Sequence, residues 1–247
     1  QGYSSAASDV YKRQENEMGW TEPFELDKVQ ILDNYYLSAQ KSDIAFLKKM
    51  DTARLLAGFR TTAGIDTKGV RPYGGWEDSL LGGHCVGHYL TALAQAVKVT
   101  GDKELKEKSQ TLIAGLEECQ KKLGTGFLFG AKVEDKEDVE KQFDILEGKK
   151  KGETWVPWYN MHKVLAGLVD TYKYTGNETA LLVAEKLGDW IYERVSKWDL
   201  KTNQKVLETE YGGMNDCLYE LYSYSHNKHH LEAAQNCLLY TSDAADE

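Results

Sequence analysis

The feature of this chain that most restricts its fold is a repeated unit: an apolar helical stretch, a tight polar turn, and an amphipathic helical stretch running back. One copy occupies residues 84–120, led by Gly83, and turns at Thr100, Gly101 and Asp102. A second occupies residues 161–195 and turns at Thr175, Gly176 and Asn177; a third, less regular, occupies residues 214–236 and turns near Ser225, His226 and Asn227. With only three prolines and 22 glycines, turns fall to Gly, Asn and Asp, which suits short connections between helices. A helical hairpin cannot bury its inner face alone, so the copies must stack about a shared core. Residues 29–59 read as further helix, with Arg60 closing the turn, and very little reads as strand. The predicted class is all-α, with repeated helical hairpins forming an open solenoid or closing into a toroid.

The loop leading into each first helix holds the unusual residues: Gly74, Gly75, Trp76, Glu77, Asp78 and Gly83 in the first copy, residues 155–160 in the second, residues 210–215 in the third. If the first helices form an inner ring, these loops all open onto one end, and that end is the predicted site. Residues 155–177 say most about it. Pro157 suits a first helical turn, where a missing N–H costs little, and Gly176 with Asn177 suits the end. Val164, Leu165, Leu168, Val169 and Tyr172 recur at helical spacing and give the segment a buried face. His162 closely follows Trp155, Trp158 and Tyr159, so an imidazole and several large rings meet at one helix mouth, where a sugar-sized polar ligand would be received. The competing reading is an ordinary buried helix with an aromatic plug.

Hydrolysis of a sugar bond takes one carboxyl group to protonate the departing oxygen and a second group to attack or to activate water. Candidates at the loop mouths are Glu77, Asp78, Glu210 and Asp216. Glu77, Asp78 and Asp216 are equally suited to capping or preceding helices, whereas Glu210 stands before Gly212 and Gly213, which allow close backbone approach. Trp76, Trp155 and Trp158 either present a face to a sugar ring or pack in the core. His84 and His88 lie four apart on one helical face, one ingredient of a metal site, but no further ligand follows at suitable spacing. Hydrogen bonding to sugar hydroxyls and packing within the ring are the readings retained for them, and no metal is expected here. Cys85, Cys119, Cys217 and Cys237 form no CxxC and read as reduced, mostly buried thiols, Cys119 structural among them. The charged run over residues 134–153 reads as a solvated loop.

A net charge of -9 argues against a nucleic-acid partner, which would need a clustered basic surface. No apolar run approaches the roughly 20 residues of a membrane-spanning helix. A neutral carbohydrate is the partner most easily accommodated. The two ends stand apart: SSAASDVYKRQ (residues 4–14) and CLLYTSDAADE (residues 237–247) resemble translations of one transposase sequencing adapter read on opposite strands. Residues 1–14, of which 1–3 are unassigned, and residues 237–247 are therefore set apart. The native portion is expected over residues 15–236 with both ends cut, which leaves the compartment, cytoplasmic or secreted, and the oligomeric state open.

Three ordered motifs, GGWEDSLLGGHCVGHYLTALA, WVPWYNMHKVLAGLVDTY and EYGGMNDCLYELY, resemble the bacterial β-L-arabinofuranosidase-like enzymes of glycoside hydrolase family 127, over essentially all of residues 15–236. The resemblance implies an (α/α)6 toroid, incomplete in this chain, followed by β-rich domains, and hydrolysis of β-L-arabinofuranosides or related plant glycans with retention. It implies a cysteine thiolate nucleophile held on zinc by a glutamate and further cysteines, with a second glutamate as acid/base; a thiolate on zinc is deprotonated at neutral pH. Those motifs belong to the later part of the toroid, downstream of Asn236, so neither nucleophile nor zinc is expected in this chain, and Cys85, Cys119 and Cys217 match none of them. Motif position implies His162 as a substrate-contacting histidine, with His84, His88, Glu210 and Asn215 as further parts of the sugar pocket; Trp158 joins them as a candidate ring face. The alternatives are another α/α-toroid carbohydrate enzyme, an epimerase or lyase, which would need no downstream cysteine cluster, and a non-enzymatic helical-repeat module that binds glycan without turnover.

Overall fold

The computed structural model describes residues 23–237, and among these it contains ten α-helices and no strand. In chain order they are α1 (Asn34–Lys49), α2 (Thr52–Thr62), α3 (His84–Thr100), α4 (Lys103–Leu123), α5 (Lys141–Leu146), α6 (Pro157–Thr175), α7 (Glu178–Val195), α8 (Leu200–Glu210), α9 (Met214–Ser225) and α10 (Lys228–Asn236). The three expected hairpins are α3/α4, α6/α7 and α9/α10. Each turns through one residue in the left-handed region, Gly101 (φ 65°), Gly176 (φ 67°) and His226 (φ 53°), and the next residue caps the returning helix. Asp102 accepts from the Leu105 N–H (3.1 Å), Asn177 from the Ala180 N–H (3.2 Å) and Asn227 from the His229 N–H (3.0 Å). Such caps are worth about 1 kcal/mol each. Pro157 occupies the first turn of α6 as expected. All four cysteines are free, and Cys119, Cys217 and Cys237 are buried. The two terminal segments set apart above lie outside the described residues, except for Cys237 at the end of α10.

Three local readings change. The helix expected over residues 29–59 is two helices, because Asp51 accepts from the Ala53 N–H (2.8 Å) and starts α2 afresh after Met50 turns extended. Helices α5 and α8 had no recognised signal. The charged run over residues 134–153 is also more than a solvated loop: Glu140, Asp144 and Glu147 all bond the Arg194 guanidinium on α7, which lies against the rings of Phe143 and Trp190. This clasp holds α5 over a cluster of perpendicular and tilted rings, Phe127, Phe129, Phe143, Trp158 and Trp190, at centroid separations of 4.8 to 6.0 Å.

The first helices of the hairpins run parallel. Along α3 and α6, Asn160 bonds the Leu81 and Gly82 carbonyls, Gly87 meets Lys163 and Gly167, and the Thr91 hydroxyl donates to Asp170 (2.6 Å). Along α6 and α9, Gly213 meets His162 and Lys173 pairs with Glu220 (2.5 Å). All three N-termini therefore lie at one end, as the loop composition predicted. The α3–α6 pair is the most extensive helix contact, because a Cβ on Gly87 would stand 1.9 Å from the Lys163 carbonyl oxygen and one on Gly167 would stand 2.4 Å from the Gly87 oxygen. No helix among the described residues is long and apolar enough to cross a membrane.

In an unhindered helix Gly→Ala is stabilising by up to about 1 kcal/mol. Here Gly87→Ala is expected to cost about 3 kcal/mol by forcing α3 and α6 apart, read as a lower urea midpoint. An unchanged midpoint would show that the helices do not meet at their backbones.

Candidate functional site

Where the N-termini of α3, α6 and α9 gather, they enclose a cavity of about 510 Å³ lined by Trp76, His84, Tyr159, His162, Lys163 and Glu210, among others. That volume lies within the roughly 300–1,000 Å³ of small-molecule sites. Asn160, fully buried, holds the approach to α3 against the start of α6 through the Leu81 and Gly82 carbonyls. Trp76 and Trp155 stand exposed on the rim, with Tyr211 beside them. The Lys163 ammonium lies 4.9 Å from the centre of the Tyr159 ring.

Glu77 sits beneath the start of α3 and does the work of a missing cap, since Gly83 supplies no side chain. Its Oε2 accepts from the Gly83 N–H (2.9 Å) and its Oε1 from the Cys85 N–H (3.2 Å). His84 Nδ1 lies 2.9 Å from the same Oε1 and 2.8 Å from the Leu81 carbonyl oxygen. A carbonyl oxygen only accepts, so Nδ1 carries a hydrogen, and Nε2 faces the Cys85 sulfur at 3.6 Å. The Cys85 thiol and the Glu77 carboxylate together push His84 up to about 10. Burial raises the Glu77 carboxyl, but the His84, Gly83 and Cys85 donors outweigh it and hold it below its ordinary value.

Donor atoms of Glu77, His84 and Cys85 lie within 4.8 Å of one another, a group that could hold a metal ion. The cluster is not a preformed zinc site: Nδ1 is protonated against the Leu81 carbonyl, Nε2 also carries a hydrogen below about pH 10, and each Glu77 oxygen already accepts a backbone N–H, so a metal would have to displace a proton from His84 and share those oxygens.

Glu210 ends α8 and is 6% exposed. Its Oε2 accepts from the Tyr159 N–H in the first turn of α6 (2.8 Å), a helix whose own N-cap residue, Val156, offers no side-chain bond. Its Oε1 has no hydrogen-bond partner among the described residues. Burial pushes this carboxyl up to about 8, against the Tyr159 and Trp158 N–H groups that hold it down. His162, half-buried, is pushed down to about 4 by burial and by Lys163 and His88, so it is a neutral imidazole at pH 7. Gly213, at φ 62°, packs on that imidazole: a Cβ there would stand 2.1 Å from the ring.

Of the residues read from sequence, His84, His162, Glu210 and Trp158 do line one cavity. Trp158 is 3% exposed and edge-on to Phe143 and Trp198, so it forms the floor and presents no open face. His88 is exposed, its ring perpendicular to His84 at 6.0 Å, and lies outside the lining. Asn215 also lies outside it, its side-chain oxygen accepting from the Asp216 N–H (3.0 Å). Lys163, Tyr211 and the fastening Asn160 were not singled out. Of these only Asn160, a polar residue on an apolar helix face, carried a local signal.

A family profile described as Beta-L-arabinofuranosidase, GH127 catalytic domain, matches residues 28–242. Among solved structures, a GH127 β-L-arabinofuranosidase from Geobacillus stearothermophilus T6 is similar at 16% identity and a TM-score of 0.59, over 85% of this chain and 32% of that one. A second, a GH127 β-arabinofuranosidase, is similar at 17% identity and a TM-score of 0.57, over 87% of this chain and 33% of the other. The chain thus spans about a third of the length of these structures, and at such identities the likeness is one of fold. No curated protein sequence matches the chain.

The raised His84 value makes a signed prediction. The folded state keeps this proton up to about 10, whereas an unfolded imidazole releases it near 6.5. Stabilisation by the charged imidazole is therefore complete below about pH 6.5 and lost as pH rises toward 10. Urea midpoints of the parent should fall across that window more than those of Glu77→Gln. Parallel curves would mean that His84 is not held charged by Glu77.

Proposed function

The chain belongs to the glycoside hydrolase family 127 catalytic-domain family, and from that premise we propose that its cavity receives the terminal sugar of a β-L-arabinofuranoside or related plant glycan in the full-length hydrolase. The observation that carries this reading is the convergence of Trp76 and His84, Tyr159 and His162, and Glu210, from three successive hairpin mouths, on one cavity. Exposed Trp76 and half-open Tyr159 offer ring faces to the apolar side of a furanose. A neutral His162 donates with one nitrogen and accepts with the other, which suits a hydroxyl that does both. His88 and Asn215 stand just beyond the lining, within the same helix mouths, as contacts for a longer glycan. Residues 15–236 are proposed to be part of the toroid. The groups that break the bond, a cysteine nucleophile with its zinc and a glutamate acid/base, are proposed to lie on polypeptide downstream of Asn236, and no step of the reaction is assigned to this chain.

Calorimetric titration of the chain with methyl β-L-arabinofuranoside tests the reading. Binding without turnover is expected, weakened by roughly 10-fold in His162→Ala, the loss of about one well-placed hydrogen bond. An absence of binding, or turnover by the chain alone that a chelator abolishes, would overturn it.

A further inference from the structure

The least explained group in the cavity is the Glu210 carboxyl. It is 6% exposed, and no ion pair reaches it among the described residues. The groups around it are Tyr159, His162 and Lys163 on α6, Tyr211 on the turn into α9, and His84 on α3. Of these, His162 is neutral at pH 7, His84 is paired with Glu77, and the Lys163 ammonium lies over the Tyr159 ring. A carboxylate in such surroundings lacks the partner that would offset the loss of water.

The two oxygens are not equivalent. Oε2 accepts from a backbone N–H at the start of α6, so it cannot at the same time present a hydrogen in that direction. When the group is protonated, the hydrogen belongs on Oε1, the oxygen with no hydrogen-bond partner among the described residues. A buried O–H without an acceptor is costly; Oε1 is closed off here, and a turn of the carboxyl toward the cavity that Glu210 lines would give its hydrogen a ligand oxygen.

We propose that Glu210 works as a neutral carboxylic acid, anchored through Oε2 to the first turn of α6, whose Oε1–H donates a hydrogen bond to an acceptor oxygen of the bound furanoside. This rests on the sugar-binding reading above and adds a direction to it: the protein donates here and the ligand accepts. It also explains why a cap on α6 comes from a residue 51 positions away and not from its own N-cap residue. The carboxyl ties the helix that carries His162 to the pocket it faces. Glu210 is a binding residue in this account, with no proton transferred to the sugar.

The test uses the whole chain and methyl β-L-arabinofuranoside. Association should be level up to about neutral pH and weaken as pH rises through about 8, where the group ionises and the donor is lost. In Glu210→Gln the amide carbonyl takes the Tyr159 N–H and the NH₂ replaces the O–H, so binding should stay within about 3-fold of the parent and lose its alkaline fall, while Glu210→Ala should weaken it by roughly 10-fold. Infrared difference spectra give a readout without ligand: a carboxylic-acid carbonyl band at about pH 6 that fades by about pH 9.5 and is missing from Glu210→Gln. A parent whose affinity is level to about pH 9.5, or a folded Glu210→Gln that binds as poorly as Glu210→Ala, would overturn the donor role and leave the sugar reading standing. No binding by the parent at any pH would overturn the sugar reading, and this inference with it.

Discussion

The structure depends on one contact, the crossing of α3 and α6 at Gly87 and Gly167, where backbone meets backbone with no side chain between. Such closeness leaves little freedom for sliding, and the Thr91–Asp170 bond further along the pair fixes their register. Because the two helices run parallel, this register brings their N-termini level. His84, in the first turn of α3, and His162, near the start of α6, then face one cavity. Asn160 completes the arrangement by bonding the loop that delivers His84. The third hairpin is set by the same device, a glycine against a facing group, with Gly213 laid on the His162 ring.

Two carboxyl groups at this end of the bundle, Glu210 in the cavity lining and Glu77 behind His84, meet burial in opposite ways. Glu77 is surrounded by donors, the Gly83 and Cys85 N–H groups and His84, and stays ionised despite lying under a helix. Glu210 has backbone N–H groups near it but no opposite charge, and burial prevails. The difference follows from the number and charge of partners within reach, since a desolvated carboxylate is stable only where hydrogen bonds and opposite charge replace water. The Glu77 anion is thus compensated by the His84 imidazolium, while Glu210 faces the cavity as a neutral acid.

Behind the cavity, the Arg194 clasp shows how a charge-rich segment becomes structural. Three carboxylates converge on one guanidinium that also covers two aromatic rings, so α5 closes the cluster whose edge, Trp158, floors the pocket. The site is therefore supported from below by ring packing and from the side by the glycine crossing.

The hairpins, their turns and the end of the bundle at which the loops gather were legible in the sequence because each is written locally, in helical spacing and in the left-handed and capping residues of three turns. The break at Asp51 was missed because an apolar pattern continues across it, and α5 and α8 because their stability comes from partners far along the chain. Glu210 and His162 were recognised as neighbours of glycines and rings, but not their states of charge; Trp158 was read with Trp76, though one is floor and the other rim. By itself, the sequence determined the helices of the three hairpins, the turns within them and the loops that carry the polar and aromatic groups. Only the tertiary structure decided which of those groups share a cavity and which carboxyl stays charged, because burial and pairing are set by residues 50 or more positions apart meeting in space.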